Sequence, residues 1–274
     1  MPLRIVQSKQ NARLKELRQA FAHPGRNKNL RAGIEGPNLL AEAIRAGLAI
    51  DCVFAAQETE DLLIGLGLPA ETEILLLPRS LLAASLETET PQPLAALIDT
   101  PQWTWEHILA GRTPPLILVL AGLQDPGNLG TILRSAEAFG ASGVICLAGT
   151  VSPWNPKAVR ASAGSIFRVP VIFAGADESL RRLHDRGVTV WTTAARSANE
   201  AARVDLAGPV ALIIGNEGNG VPPEIGAMAD GELTIPCPGP VESLNAAVAA
   251  GILLYEASRQ RAVHLEQRAS RSAQ

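Results

Sequence analysis

Residues 115–147, PLILVLAGLQDPGNLGTILRSAEAFGASGVICL, decide how the rest of the chain is read. Leu116 to Ala121 is a continuous apolar run of Leu, Ile and Val, the signature of a strand buried on both faces of a parallel sheet. It stops at Gly122. A polar loop, Gln124-Asp125-Pro126-Gly127-Asn128-Leu129-Gly130, is expected next, with Pro126 fixing one φ and the two glycines permitting unusual ones. An amphipathic helix then places Ile132, Leu133, Ala136 and Phe139 on one side, closes near Gly140 and carries Arg134. Gly143 to Leu147 reads as a second strand. The unit is β-loop-α-β, and loops beyond the carboxyl ends of parallel strands are where α/β sheets place their sites.

The flanking chain extends that α/β pattern. Residues 1–98 read as a small α/β sandwich opening on a helix, SKQNARLKELRQAF, capped by Ser8 or Asn11, with Leu14, Leu17 and Phe21 facing inward. Strands are expected at Gly33–Gly36, Cys52–Ala55, Glu73–Leu77 and Leu94–Ile98. Helices are expected at Pro37–Leu48, Asp61–Leu66 and Arg79–Ala84, the last broken by the run ETETPQ from Glu87. Residues 99–115 hold three prolines, Trp103, Trp105 and no regular period, so they read as a connection, with the tryptophans expected to pack it onto a domain in preference to stacking on a base. Residues 116–274 form the second domain. Its expected elements are a helix at Lys157–Ala163, a strand at Phe167–Phe173, a helix at Asp177–Arg186, a strand at Val188–Thr192, the buried strand Val210–Ile214 and a short strand Glu232–Ile235. The final helix, Ser243 to about Arg261, is small on one side (Ala246, Ala247, Ala249, Ala250, Gly251), and a frayed tail follows.

Composition bounds the function. The 274-residue chain is 47% hydrophobic and 19% charged, a globular balance. No apolar run is long enough to cross a bilayer and no signal-peptide core opens the chain, so a cytoplasmic protein is expected. Three scattered cysteines and four scattered histidines have neither disulfide nor ligand spacing, and no metal is expected. The net charge of −3 hides an asymmetry: residues 1–31 contain eight Lys/Arg (Arg4, Lys9, Arg13, Lys15, Arg18, Arg26, Lys28, Arg31) against one acid, Glu16. That stretch is a solvated helix or a phosphate-facing patch.

Two glycine-rich loops after apolar strands invite a nucleotide-cofactor reading, which fails on spacing. GLQDPGNLG lacks G-x-G-x-x-G, GNEGNG leads into Val-Pro-Pro, and neither ends in Gly-Lys-Ser/Thr. Taken in order, Asp125-Pro126-Gly127-Asn128-Leu129-Gly130 with Arg134, Ile213-Ile214-Gly215-Asn216-Glu217-Gly218 with Gly220, and Ile235-Pro236 through Ser243-Leu244-Asn245 resemble the three motifs of the SPOUT-class RNA methyltransferases, SpoU (TrmH-like) branch. Residues 1–98, with Ser8…Asn11, Glu35-Gly36 and Thr90-Pro91-Gln92, resemble the L30e-like substrate-binding domain of that branch's ribosomal-RNA enzymes. Pro93-Leu94 departs from their usual Gln-Gly.

The resemblance implies a deep trefoil knot in the C-terminal domain, a homodimer completing the site, and S-adenosylmethionine (AdoMet) held mainly by backbone of the second and third loops. Its cofactor residues would be Gly215, Asn216, Gly218, Gly220, Ile235, Gly239, Ser243 and Leu244, with Ile235 and Leu244 flanking the adenine. The implied reaction is methyl transfer to a ribose 2′-hydroxyl, in 23S ribosomal RNA before tRNA. Arg134 would be central, Asn128 would hold it or the ribose, Glu217 would orient either, and Ser243 and Asn245 would line the reacting end. With RNA as partner, the outward cations Lys9, Arg13 and Lys15 become its contacts. A non-catalytic RNA-binding paralogue is disfavoured because every catalytic-motif position is present. A small-molecule α/β enzyme is disfavoured by the missing fingerprint and the basic N-terminus.

Overall fold

In a computed structural model, residues 3–24, 30–86, 88–110 and 114–272 are described; Arg26, Lys28, Glu87 and Gly111–Thr113, which enter the sequence reading, lie outside them. The chain divides into two compact units. One comprises residues 1–102 with 154–168, the other 103–153 with 169–274. Segment 154–168, assigned by sequence to the second domain, thus belongs with the first unit, and the Trp103–Trp105 part of the connection belongs with the second.

The first unit opens on a short strand that sequence did not anticipate, β1 (Leu3–Ile5), before α1 (Ala12–Ala22). Asn11 caps α1, its side chain accepting from the amides of Arg13 and Leu14. There follow β2 (Arg31–Glu35), α2 (Pro37–Arg45), β3 (Ile50–Ala56), a 3-10 turn at Gln57–Leu63, β4 (Glu73–Leu77), α3 (Arg79–Ala83) and β5 (Leu94–Asp99). The sheet order is β1-β4-β3-β5-β2, with β5 antiparallel to both its neighbours. Leu14, Leu17 and Phe21 of α1 pack with Cys52, Phe54, Leu75 and Leu97 of the sheet, as the helix periodicity required.

The second unit begins at Trp103. Instead of an irregular connection, residues 105–109 form a helix, α4 (Trp105–Leu109), because Thr104 and His107 build a reciprocal capping box. Trp103 and Trp105 pack against the core that includes Ile108, Ile117 and Leu183. Next come β6 (Leu116–Ala121), α5 (Pro126–Ala138) and β7 (Gly143–Cys146). The expected loop 124–130 is mostly the first turns of α5. Asp125 accepts the Asn128 amide at 2.8 Å and Pro126 occupies the first helical position, so the helix starts at Pro126 rather than after Gly130, five residues early. In the first unit's share of the chain lie α6 (Pro156–Ala161) and a 3-10 turn at Ser165–Phe167. The remaining elements are β8 (Val171–Phe173), α7 (Ala176–Asp185), β9 (Thr189–Thr193), β10 (Val210–Gly215), α8 (Pro223–Gly226), β11 (Gly231–Leu233) and α9 (Ala246–Ser272). The tail expected to fray is helical: α9 runs to Ser272 rather than Arg261.

All six strands of this unit are parallel, ordered β11-β9-β10-β6-β7-β8. Every residue of β6 and β10 is buried, which is why both read as continuous apolar runs. Chain leaving β6 goes to β7 on one side, and chain leaving β10 goes to β11 on the other. Connections part there, so the crevice beyond the carboxyl ends of β6 and β10 is the switch point at which such sheets bind ligands. Ala121 pairs with Gly215, so both strands end at one level and deliver their loops to one place. α9 packs on α5, with Gly251 beside Ser135: a Cβ added at Gly251 would reach Ser135 Oγ at 3.6 Å, an ordinary contact.

Candidate functional site

The turn after β10 is built around Gly215. An added Cβ there would meet Gly220 C at 2.2 Å, Val221 N at 2.3 Å and Gly220 O at 2.5 Å, all backbone. Asn216 and Gly220 exchange both amide hydrogen bonds at 2.9 Å, and Gly220 takes φ +70, a left-handed conformation that favours glycine. The Asn216 side chain is spent on structure. Its Nδ2 donates to Gly122 O at 2.8 Å and its Oδ1 accepts the Gly218 and Asn219 amides.

That turn aims Glu217 at the start of α5. Its Oε1 accepts the Asp125 amide at 3.1 Å and Asn128 Nδ2 at 3.0 Å, and its Oε2 accepts the Gln124 amide at 3.3 Å. Partial burial pushes its pKa up, but the hydrogen bonds from Asn128 and from backbone amides, 125 and 124 among them, outweigh this and hold it below the usual carboxylate range. Asn128 Oδ1 in turn accepts Asn245 Nδ2 at 3.0 Å. Asn245 Oδ1 accepts the Ala247 and Val248 amides, so Asn245, not Ser243, caps α9. A chain of two amides thus runs from the N-terminus of α9 to an ionised carboxylate, joining the three loops.

Beside it lies a cleft of about 280 Å³. Ile214, Leu233, Ile235, Leu244 and Leu253 supply apolar walls, while Thr193, Ala194, Ala195, Gly215, Asn216, Glu217, Gly218 and Gly220 line other parts of it. A flat apolar group with hydrogen-bonding edges fits such a lining. Seven of the eight residues expected to hold a cofactor line it; Gly239 lines an adjoining cavity instead. Among Gly215, Gly218, Gly220 and Gly239, only Gly215 is required by packing within the protein: a Cβ on Gly218 would be 3.6 Å from Asn216 Oδ1, and one on Gly220 or Gly239 would meet nothing within 4 Å.

The other expected residues are placed as follows, and only Arg13 departs from its expected position. Arg134 is exposed on the third turn of α5, makes no hydrogen bond or ion pair with the described residues, and is not a wall of the cleft. It sits about 9 Å along the helix axis from Asn128, and Glu217 contacts Asn128 rather than Arg134. In the first unit, Arg13 does not face outward. It pairs with Glu16 (2.9 Å), Asp51 (2.8 Å) and Glu73 (2.9 Å), and Arg31 pairs with Glu16, Asp51 and Asp99. Lys9 and Lys15 are exposed. Sequence reading missed the end of β9, Thr193–Ala195, and Leu253. The signal available for Thr193–Ala195 was position alone, the carboxyl end of a strand beside β10. Among the described residues no cluster of metal-ligating side chains occurs and no helix is long and apolar enough to cross a membrane.

A family model described as the SpoU rRNA Methylase family matches residues 115–255. The chain is 32% identical over 253 residues to the 23S rRNA (guanosine(2553)-2′-O)-methyltransferase RlmP of Bacillus subtilis, covering 92% of this chain and 98% of that one. Among solved structures it is similar to the SpoU methyltransferase AviRb of Streptomyces viridochromogenes in complex with AdoMet (TM-score 0.81, 27% identity, 92% and 98% of the two chains). It is also similar to an AdoMet-bound rRNA methyltransferase from Sinorhizobium meliloti (TM-score 0.79, 28% identity, 94% and 98%).

Proposed function

The chain belongs to the SpoU rRNA Methylase family, and we infer from that membership and its site that it is an AdoMet-dependent ribosomal-RNA 2′-O-ribose methyltransferase. AdoMet supplies a methyl group on a sulfonium, activated for displacement. What carries the reading is the hydrogen-bonded junction of Glu217, Asn128 and Asn245 beside a cleft with apolar walls, which Glu217 also lines. Gly215, Asn216, Gly218 and Gly220 would present backbone to the cofactor, and Ile235, Ser243 and Leu244 would enclose it.

Displacement on carbon depends on alignment, so the residues' main task is to hold the ribose in line. Glu217 has both oxygens committed to the 124–128 amides, so we assign it positioning rather than proton acceptance. Asn128, fixed between Glu217 and Asn245, presents a rigid amide to the sugar. The Arg134 guanidinium suits a developing alkoxide or an RNA phosphate. Its distance along α5 from the junction favours a site completed by a second copy. A homodimer is supported by Val248, Ile252 and Tyr255, an exposed apolar stripe at helical spacing on α9. We also propose that residues 234–245 are the knotted segment, since they share the cleft with the 215–220 turn while α9 packs on α5. The first unit, L30e-like in this reading, would receive RNA through Lys9 and Lys15. We read the target as 23S rRNA, from likeness to the RlmP relative, and the protein as cytoplasmic.

Calorimetry with AdoMet, followed by methyl transfer to unmodified transcribed rRNA, tests this. The product linkage should resist alkaline hydrolysis, because the 2′-hydroxyl that would attack the phosphate is blocked. AdoMet binding with methyl found only on bases would refute ribose chemistry.

A further inference from the structure

Next to the cofactor cleft is a second cavity of about 390 Å³, sharing Ala195, Cys237 and Glu242 with it as walls. It is bordered by charge of both signs. Glu200 is engaged by Arg203 at 3.1 Å. Arg196 and Glu242 line the same cavity yet pair with neither each other nor any described residue. Arg196 is not on slack chain. Thr234 Oγ1 donates to Ala195 O (3.1 Å), Ser197 Oγ and Asn199 Nδ2 donate to Glu232 O (2.9 and 3.0 Å), and the Ala201 amide donates to Thr234 O (2.9 Å). The segment is thereby tied to β11 and its continuation on both sides of Arg196, as a preorganised recognition element must be.

We propose that this cavity takes the base of the target nucleotide and that Glu242 and Arg196 select guanine; the proposal rests on the methyltransferase reading above. A nucleotide whose ribose reaches the cofactor must place its base within a few ångströms of it, and unstacked bases are read on their exposed edges. Guanine alone offers two adjacent donors, N1–H and N2–H₂, which one carboxylate accepts together, beside an acceptor, O6, which a guanidinium can meet. Adenine would turn the acceptor N1 toward Glu242 and a donor toward Arg196. Cytosine presents N3 as an acceptor, and uracil has a single ring donor. Glu242 is therefore a specificity-determining residue and Arg196 its complement.

The test uses transcribed 23S rRNA with AdoMet and the full-length protein, with the methylated nucleosides identified by mass spectrometry. A fragment around the modified position is then compared with guanosine or inosine, which lacks the N2 amino group, at that position. The wild type should make 2′-O-methylguanosine and prefer guanosine to inosine by roughly 10- to 100-fold in kcat/KM. Glu242→Ala and Glu242→Gln should lose most of that preference, and Glu242→Asp should keep part of it. The preference is a ratio on one protein, so changes in folding or cofactor affinity cancel. A methylated adenosine or pyrimidine as the wild-type product, or an undiminished preference in Glu242→Ala, would overturn the base-reading role while leaving the methyltransferase reading intact. A wild type that binds AdoMet and methylates no RNA would refute that reading, and this role with it.

Discussion

Replacing Gly215 by alanine probes the cleft at its tightest point. The new Cβ would lie 2.2–2.5 Å from three backbone atoms of Gly220 and Val221, where ordinary carbon contacts sit at about 3.5–4.0 Å. The turn must open by about 1 Å or more, and no flexible side chain is there to move instead. Overpacking of this kind costs about 1–3 kcal/mol. For a unit of this size, about 2 kcal/mol lowers the unfolding temperature by about 4–8 °C. Opening the turn also displaces Asn216, Glu217, Gly218 and Gly220, which line the cleft, so AdoMet affinity should fall at least about tenfold, or about 1.4 kcal/mol. Gly239→Ala, with nothing within 4 Å of its Cβ, is the control and should match the wild type in both measurements. Calorimetry with AdoMet and thermal unfolding on both variants decide it. Gly215→Ala binding AdoMet like the wild type at an unchanged unfolding temperature would refute the close-approach account.

Arg134→Ala should abolish methyl transfer with AdoMet affinity within about twofold, because Arg134 is not a wall of the cleft; Arg134→Lys should not restore turnover, since a point charge lacks the planar fork, and substantial activity in the lysine variant would contradict the assignment. Glu217 has a lowered pKa in the folded state, so its stabilisation is fully present above the unfolded value of about 4.3 and is lost as pH falls through the folded value. The gap in urea midpoint between wild type and Glu217→Gln should therefore narrow as pH is lowered from 7 to 3.5, and a constant gap would contradict the hydrogen-bonded carboxylate. Lys9→Ala with Lys15→Ala should flatten the salt dependence of RNA binding by up to about two units of slope without changing stability, whereas Arg13→Ala should cost about 1–3 kcal/mol by taking one cation from Glu16, Asp51 and Glu73, leaving Arg31 on the first two and Arg4 on the third; unchanged slope in the double variant would remove α1 from the RNA contact.

The second unit's strands were legible because a two-sided buried strand leaves an apolar run with sharp ends: β6 and β10 appear where LILVLA and VALII stand. The motif loops were legible by their residue order, yet the helix start at Pro126 was not, because glycines at 127 and 130 read as loop while Asp125 and Pro126 together nucleate a helix over them. The α4 helix was hidden because it is only five residues long, set by the Thr104–His107 capping box between prolines on both sides. The misreading of Arg13 has a different origin. Counting charges along residues 1–31 cannot register Asp51 and Glu73, which β3 and β4 bring to α1 from 38 and 60 residues away. The same limit applies to the Asn245–Asn128–Glu217 chain: each residue was singled out, but separations of 117 and 89 residues conceal who bonds to whom.

If this chain methylates a ribose of ribosomal RNA, its loss must remove a mark from that RNA. Ribose 2′-O-methylation can be mapped at nucleotide resolution across rRNA from cells with the gene, without it, and complemented by wild type or Arg134→Ala. One 2′-O-methyl mark in 23S rRNA should vanish without the gene, return with the wild type and stay absent with Arg134→Ala. An rRNA methylation map identical in all four strains would contradict the claim.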